Sequence, residues 1–361
     1  MLMKRLHYIL YIGVCMMLFF LGCTPSDVAE TEKPEVNAKA VTLQVKTRVS
    51  GSGYSQGEES IKTLRVIAAT SNRTIVGSYY EDFFQDPTSS GSINTVTKIT
   101  MEDIPFGEVT FYVIANEASV GLDLGDMVKG MQLPSTDEWE KKVVMAQKEE
   151  ADGSITTYFP RLRRDIGECG LPITAIQTEM ISNTTQNITI EITRAVAKIA
   201  MSFNNYANAD IPIASLGLGQ FIADRTFLFP QETTDNSVSI PNGNTYTDYI
   251  FVAASEEGAT ILEGTYENTS DQEYAPQNKD LLVFYFYETH NAISPSPYTL
   301  GIETVASGIF MPPQEFITDR IISRNTQVDV EVNIYRHSDT EKIEWEVVPF
   351  APVNVEVPEF D

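Results

Sequence analysis

The chain has 361 residues, room for two domains of ordinary size, and its 42% hydrophobic, 10% aromatic and 21% charged content is that of a folding globular protein. Fifty Asp and Glu against 25 Lys and Arg give a formal charge of -25, which makes nucleic acid a poor partner and disfavours electrostatic attachment to anionic lipid. Three cysteines and three histidines, with Cys15, Cys23 and His7 all in the first 23 residues, fit neither a Cys/His metal cage nor a paired disulfide framework, so stability rests on packing.

Lys4 and Arg5 precede an apolar run from Leu6 to Leu21 that ends at Gly22-Cys23 and turns at once into Thr24-Pro25-Ser26-Asp27. This is a secretory signal. A small residue before the cysteine resembles a bacterial lipoprotein signal, although Phe20 and Leu21 depart from the usual box. The expectation is removal of residues 1–22 and acylation of Cys23; the alternative is an ordinary signal or a single membrane helix with an incidental cysteine. Losing Lys4 and Arg5 takes the charge from -25 to -27, so acyl chains rather than charge would hold the mature chain to a membrane. Residues 23–38, with two prolines, four acids and no aromatic residue, read as a flexible tether.

Beyond the tether the period is two. Val41, Leu43, Val45 and Val49 alternate with polar residues, the pattern of a strand with one buried face. A Gly/Ser loop follows at Ser50–Gly57. Further strands are expected at Ile61–Ala69, Thr74–Tyr80, Ile93–Met101 and Glu108–Ala115, with Pro105-Phe106-Gly107 as a turn. Ser135-Thr136-Asp137-Glu138 is a capping box that predicts a helix carrying Trp139, Val143 and Ala146 on one face, and Gly121–Lys129 is a second helical candidate. Asn187–Phe203 is too long for one strand and predicts two, split near Arg194. Leu281–Tyr287 has apolar or aromatic residues on both faces, as in a central strand covered on both sides, and Gln327–Ile334 and Ile343, Trp345 and Val347 alternate again. No fixed-period repeat is evident. The fold class expected is all-β, with a β-sandwich at residues 39–193 and another at 194–361.

Signals of catalysis are sparse. Gly217-Leu218-Gly219 lacks the third glycine of a dinucleotide fingerprint, because position 222 is Ile, and reads as a turn. Glu149, Glu150 and Asp152 before Gly153 suggest a solvated loop sooner than a cation site or a glycosidase acid pair. His290 and His337 fall at strand ends, and Cys169 has no base nearby in sequence. The expectation is no enzyme, no cofactor and no structural metal.

Taken together, the signal, the acidic tether and Ile192-Thr193-Arg194-Ala195-Val196-Ala197-Lys198-Ile199 between two β-rich halves resemble the fimbrillins, the type V pilus subunits of Bacteroidia. Four further segments agree in order: Thr47-Arg48 before the Gly/Ser loop with Glu58 to Val66 after it, Phe111 to Asn116, Gly170 to Ile173, and Arg324-Asn325-Thr326. The resemblance implies two transthyretin-like β-sandwiches, exported, lipidated at the outer membrane and assembled into fimbriae with copies of itself or paralogous subunits. It implies assembly by strand exchange, in which an Arg-specific protease removes the first strand and a neighbour's strand fills the slot. Arg48 is the matching cleavage position, unless the first strand stays in place as in an anchor or accessory subunit. The donor candidate is Ile343–Phe360, with Ile343, Trp345, Val347, Val353, Val355 and Val357 as its apolar positions; its alternative role is to complete its own domain. Another reading is a surface lipoprotein that binds glycan or a host protein without polymerising, with Tyr79, Tyr80, Phe83 and Phe84 as its exposed aromatic residues.

Overall fold

Alternating apolar residues demand sheets, and the computed structural model is built almost wholly of them. It describes residues 38–47, 60–83, 97–125, 127–149, 151–157, 169–185, 187–205, 211–231, 239–252, 260–261, 265–266, 274–275, 278–290, 298–304, 310–315, 321–336 and 343–348. The first half contains β1 (Ala38–Thr47), β2 (Thr63–Thr70), β3 (Ile75–Asp82), β4 (Thr97–Pro105), β5 (Gly107–Ala115), the short β6 (Val143–Met145), β7 (Gln147–Glu149) and β8 (Ile155–Thr157), then β9 (Ile173–Ile181) and β10 (Asn187–Arg194). The second half runs through β11 (Val196–Asn205), β12 (Ile211–Ala223), β13 (Arg225–Phe227), β14 (Tyr246–Val252), the two-residue strands β15 (Thr260–Ile261), β16 (Thr265–Tyr266) and β17 (Tyr274–Ala275), and β18 (Asn278–Tyr287). It closes with β19 (Thr289–His290), β20 (Thr299–Thr304), β21 (Phe310–Glu315), β22 (Ile321–Ile322), β23 (Gln327–Arg336) and β24 (Ile343–Val348).

The first seven long strands form one sheet in the order β3-β2-β5-β9-β10-β1-β4. Between β9 and β10 only Thr193 with Thr174 and Arg194 with Ile173 pair, so the sheet folds over there and its two parts face each other. Val41, Leu43 and Val45 of β1, Ile99, Met101 and Ile104 of β4, and Ile188, Ile190 and Ile192 of β10 meet Leu64, Val66, Val109, Phe111 and Val113 in a single buried core. The layers come close at Gly77, where a Cβ would lie 2.9 Å from both Ile104 Cδ1 and Met101 Cε.

The outer face of β2 and β5 is buried as well. Ile67, Tyr112 and Ile114 enter a second core with Trp139, Phe229, Val196, Val283, Tyr285 and Tyr287, which explains why β2 is buried at every position except its two ends. The chain crosses from β10 to β11 at Ala195, where the strand is interrupted. In the second half the sheet orders are β18-β11-β23-β24 and β14-β12-β20-β21. Residues 283–287 are buried on both faces as their composition requires, yet β18 ends its sheet rather than occupying the middle.

The halves repeat one plan, although the sequence carries no fixed-period repeat. β1 runs parallel to β10 and lies between it and β4, just as β11 runs parallel to β23 and lies between it and β18. The ladders agree residue by residue: Leu43 and Val45 face Ile188 and Ile190, while Ile199 and Met201 face Val328 and Val330. Both outer partners read polar-apolar-polar-apolar-Glu-apolar, as Asn187–Ile192 and as Gln327–Val332. The strand β24 on β23 is an addition of the second half.

Two expectations about helices are corrected. The capping box at Ser135 is present, with Ser135 Oγ accepting from Glu138 N–H, but the helix is a single turn, Thr136–Trp139. Val143 then opens β6, whose pairing with β13 wins over helix continuation. In place of a helix over Gly121–Lys129, a 3-10 turn spans Glu117–Val120 and stops at Gly121, which takes the left-handed conformation. Gly217–Gly219 likewise belongs to β12 and not to a turn; a Cβ on Gly219 would collide with Thr299 Oγ1 of β20.

Candidate functional site

The site suggested by the sequence is β1 and its slot. Thr42–Thr47 pair in parallel with Asn187–Ile192, and β4 lies along the other side. Val41 and Leu43 are 0% exposed and Val45 2%, while Thr42, Gln44 and Lys46 on the opposite face are partly exposed. At its start Lys39 Nζ donates to Asn183 O at 2.7 Å. Arg48, one residue beyond the described end of β1, lies outside the described residues, as does Cys23.

The far side of the Gly/Ser loop is pinned independently of β1. Asn116, in the left-handed region at φ 60, accepts from Lys62 N–H at 2.7 Å and donates to Ser60 O at 3.0 Å and to Leu171 O at 2.6 Å. Gly170 (φ +73) is required here, because a Cβ would overlap the Asn116 amide. The sequence marked the Phe111–Asn116 segment without assigning this role; a buried Asn is legible only once its partners are in place.

Beside it, Arg65 donates through Nε and Nη2 to Glu117 Oε2 and Oε1 at 2.7 and 2.9 Å, and Tyr80 stacks on the guanidinium at 4.5 Å. The hydrogen bond from Arg65 to Glu117 holds the guanidinium above its ordinary pKa against the opposing effect of burial. Of the expected aromatic surface, Phe83 is in the core and Tyr79 packs against it with its hydroxyl on Glu81. Tyr80 is the exposed member, and Phe84 lies outside the described residues.

The C-terminal candidate divides. Ile343, Trp345 and Val347 lie in β24, which pairs antiparallel with β23 of the same chain, from Val348 opposite Glu331 to Ile343 opposite Arg336. Val353, Val355 and Val357 lie outside the described residues.

Of the residues weighed for catalysis, Glu149 ends β7, Asp152 lies in the turn after it and His290 ends β19. Asp152 accepts from the Ser154 hydroxyl and N–H at 2.6 and 2.9 Å, which lowers its pKa, and serves the turn after β7. His290 is half-buried with its carbonyl accepting from Tyr246 at 2.9 Å. Cys169 is half-buried. Glu150 and His337 lie outside the described residues. Among the described residues no cluster of three His, Cys, Asp or Glu is placed to hold a metal, and no helix is long and apolar enough to cross a membrane.

Compared with known protein families the sequence matches none, and no curated protein matches it. The structure does have relatives. Fimbrilin from Porphyromonas gingivalis superposes with a TM-score of 0.50 over 89% of this chain and 99% of its own, at 14% identity. The chain has the fimbrilin fold. A fimbrial assembly protein from Parabacteroides distasonis (TM-score 0.46, 10% identity, 86% of this chain and 95% of that one) and the tip fimbrial protein Mfa3 from P. gingivalis (0.42, 13%, 86% and 100%) are also similar. At 14% identity the property shared with the P. gingivalis fimbrilin is the fold itself.

Proposed function

We propose that this chain is a non-enzymatic structural or accessory subunit of a cell-surface fimbria. The observation that carries the reading is the fimbrilin fold over 89% of the chain. Export removes residues 1–22, and acylation of Cys23 anchors the chain to the outer membrane through the tether until cleavage after Arg48 separates it from that anchor. The two halves meeting at Arg194 serve as two domains. Assembly with other fimbrial subunits proceeds by strand exchange: cleavage after Arg48 frees β1, and a strand of a neighbouring subunit takes its place, the fibre then serving adhesion to a host or bacterial surface.

Geometry supports this choice of strand. β1 is held by one ladder on each side and buries Val41, Leu43 and Val45 into a slot between β10 and β4, so an incoming strand with aliphatic residues at every second position would recover the same burial. Val353, Val355 and Val357 have that spacing and small size. The segment Ile343–Val348 is already paired on β23, which favours residues 349–361 as the donor. Fibres sheared from cells that produce the chain should contain it with a new N-terminus at Val49. Cys23→Ala should abolish acyl labelling and membrane retention. A chain recovered only as monomer, never in fibres, would contradict the reading.

A further inference from the structure

The two layers of the first sandwich are held very differently. Exposed Lys98, Thr100, Glu102 and Asp103 line the outer side of β4, and Thr42, Gln44 and Lys46 the outer side of β1. These two strands thus have one buried face each and are held by the inner core and by their ladders, β1 on β10 and on β4. The opposite layer is clamped from behind. Ile67, Tyr112 and Ile114 are buried against Trp139 and Phe229, with Tyr112, Trp139 and Phe229 ring centroids 5.6 to 5.9 Å apart.

A strap from the second half, Asp224–Gln231, fastens this clamp. Its β13 pairs with β6. Leu228 N–H donates to Lys142 O at 2.7 Å, and Leu228 O accepts from Thr174 Oγ1 of β9 at 2.8 Å. Arg324, 9% exposed, pins the strap from the other side: Nη2 donates to Phe227 O at 2.8 Å, and the guanidinium pairs with buried Glu288, which also accepts from Thr226 Oγ1 at 2.9 Å.

We infer that the first sandwich opens on one side only: β1 and β4 detach together while β2, β5 and β9 remain folded on the strap. Opening this layer uncovers one face of core, whereas freeing β5 requires breaking both cores and the strap, and local opening follows the lower cost. The inference concerns the intact chain and does not depend on polymerisation; it supplies a preset opening beside the slot.

Hydrogen exchange on the full mature chain, read peptide by peptide in denaturant below the unfolding transition, tests it. Amides of β1 and β4 should exchange together, at least about tenfold faster than those of β5, with a weaker denaturant dependence. Thr174→Val, which removes one strap contact, and Arg324→Gln, which removes the pin, should reduce protection in β2 and β5 while leaving β1 and β4 unchanged. Equal protection and equal denaturant dependence in β1, β4 and β5 would overturn the inference. So would a Thr174→Val chain in which β1 and β4 lose as much protection as β5; that variant alone decides the matter if Arg324→Gln does not fold.

Discussion

Leu43 faces Ile188 across a parallel ladder, and the side chains are 0% and 5% exposed in one shared core. The pairing joins the proposed removable strand to the strand that leads into the second half. Truncating Leu43 to Ala should cost about 2 to 5 kcal/mol through lost burial and the cavity left behind. Denaturant titration should show a lower midpoint with an unchanged slope.

Tyr112 donates to Glu140 Oε1 at 2.8 Å, and burial first, then this bond, push its pKa well above the ordinary 10.0. The folded state thus keeps a proton that the unfolded chain releases near pH 10. Stability is full below that pH and falls as pH rises beyond it. Thermal melts between pH 9 and 11 should show the loss, and Tyr112→Phe should flatten it.

Asp224 works in the opposite direction. Burial raises its pKa, but hydrogen bonds from Arg225 and from Thr245 N–H more than offset this, leaving it below 3.8. Its contribution is present above that pH and lost as pH falls through the lowered value. Asp224→Asn should lower the melting temperature at pH 7 and narrow the gap from wild type in strong acid.

Gly170→Ala forces a side chain into a left-handed position and against Asn116. Destabilisation of roughly 1 to 3 kcal/mol is expected. Limited proteolysis should then cut more readily near Ser60, whose carbonyl Asn116 holds.

What the sequence disclosed is what local pattern encodes. Val41, Leu43 and Val45 alternate against a single core, so β1 was legible; the break at Ala195 was legible because Asn187–Phe203 exceeds the length of one strand. Val143 misled, since its helical spacing from Trp139 suits a longer helix, and the competing partner, β13, lies about eighty residues on. The likeness of β10 to β23 escaped because it is carried by ladder position and by alternation common to many strands. Arg65 with Glu117 and Arg324 with Glu288 are 52 and 36 residues apart, and no local signal pairs them.

The most direct test of strand exchange is to cut the purified mature chain after Arg48 and follow its size by gel filtration and electron microscopy. The account predicts that monomer converts into a ladder of oligomers and fibres, that uncut Arg48→Ala chain stays monomeric, and that truncation after Val348, which keeps β24, gives a folded monomer unable to polymerise when cut. A chain that remains monomeric after confirmed release of β1, or that polymerises equally well with Arg48→Ala uncut, would contradict it.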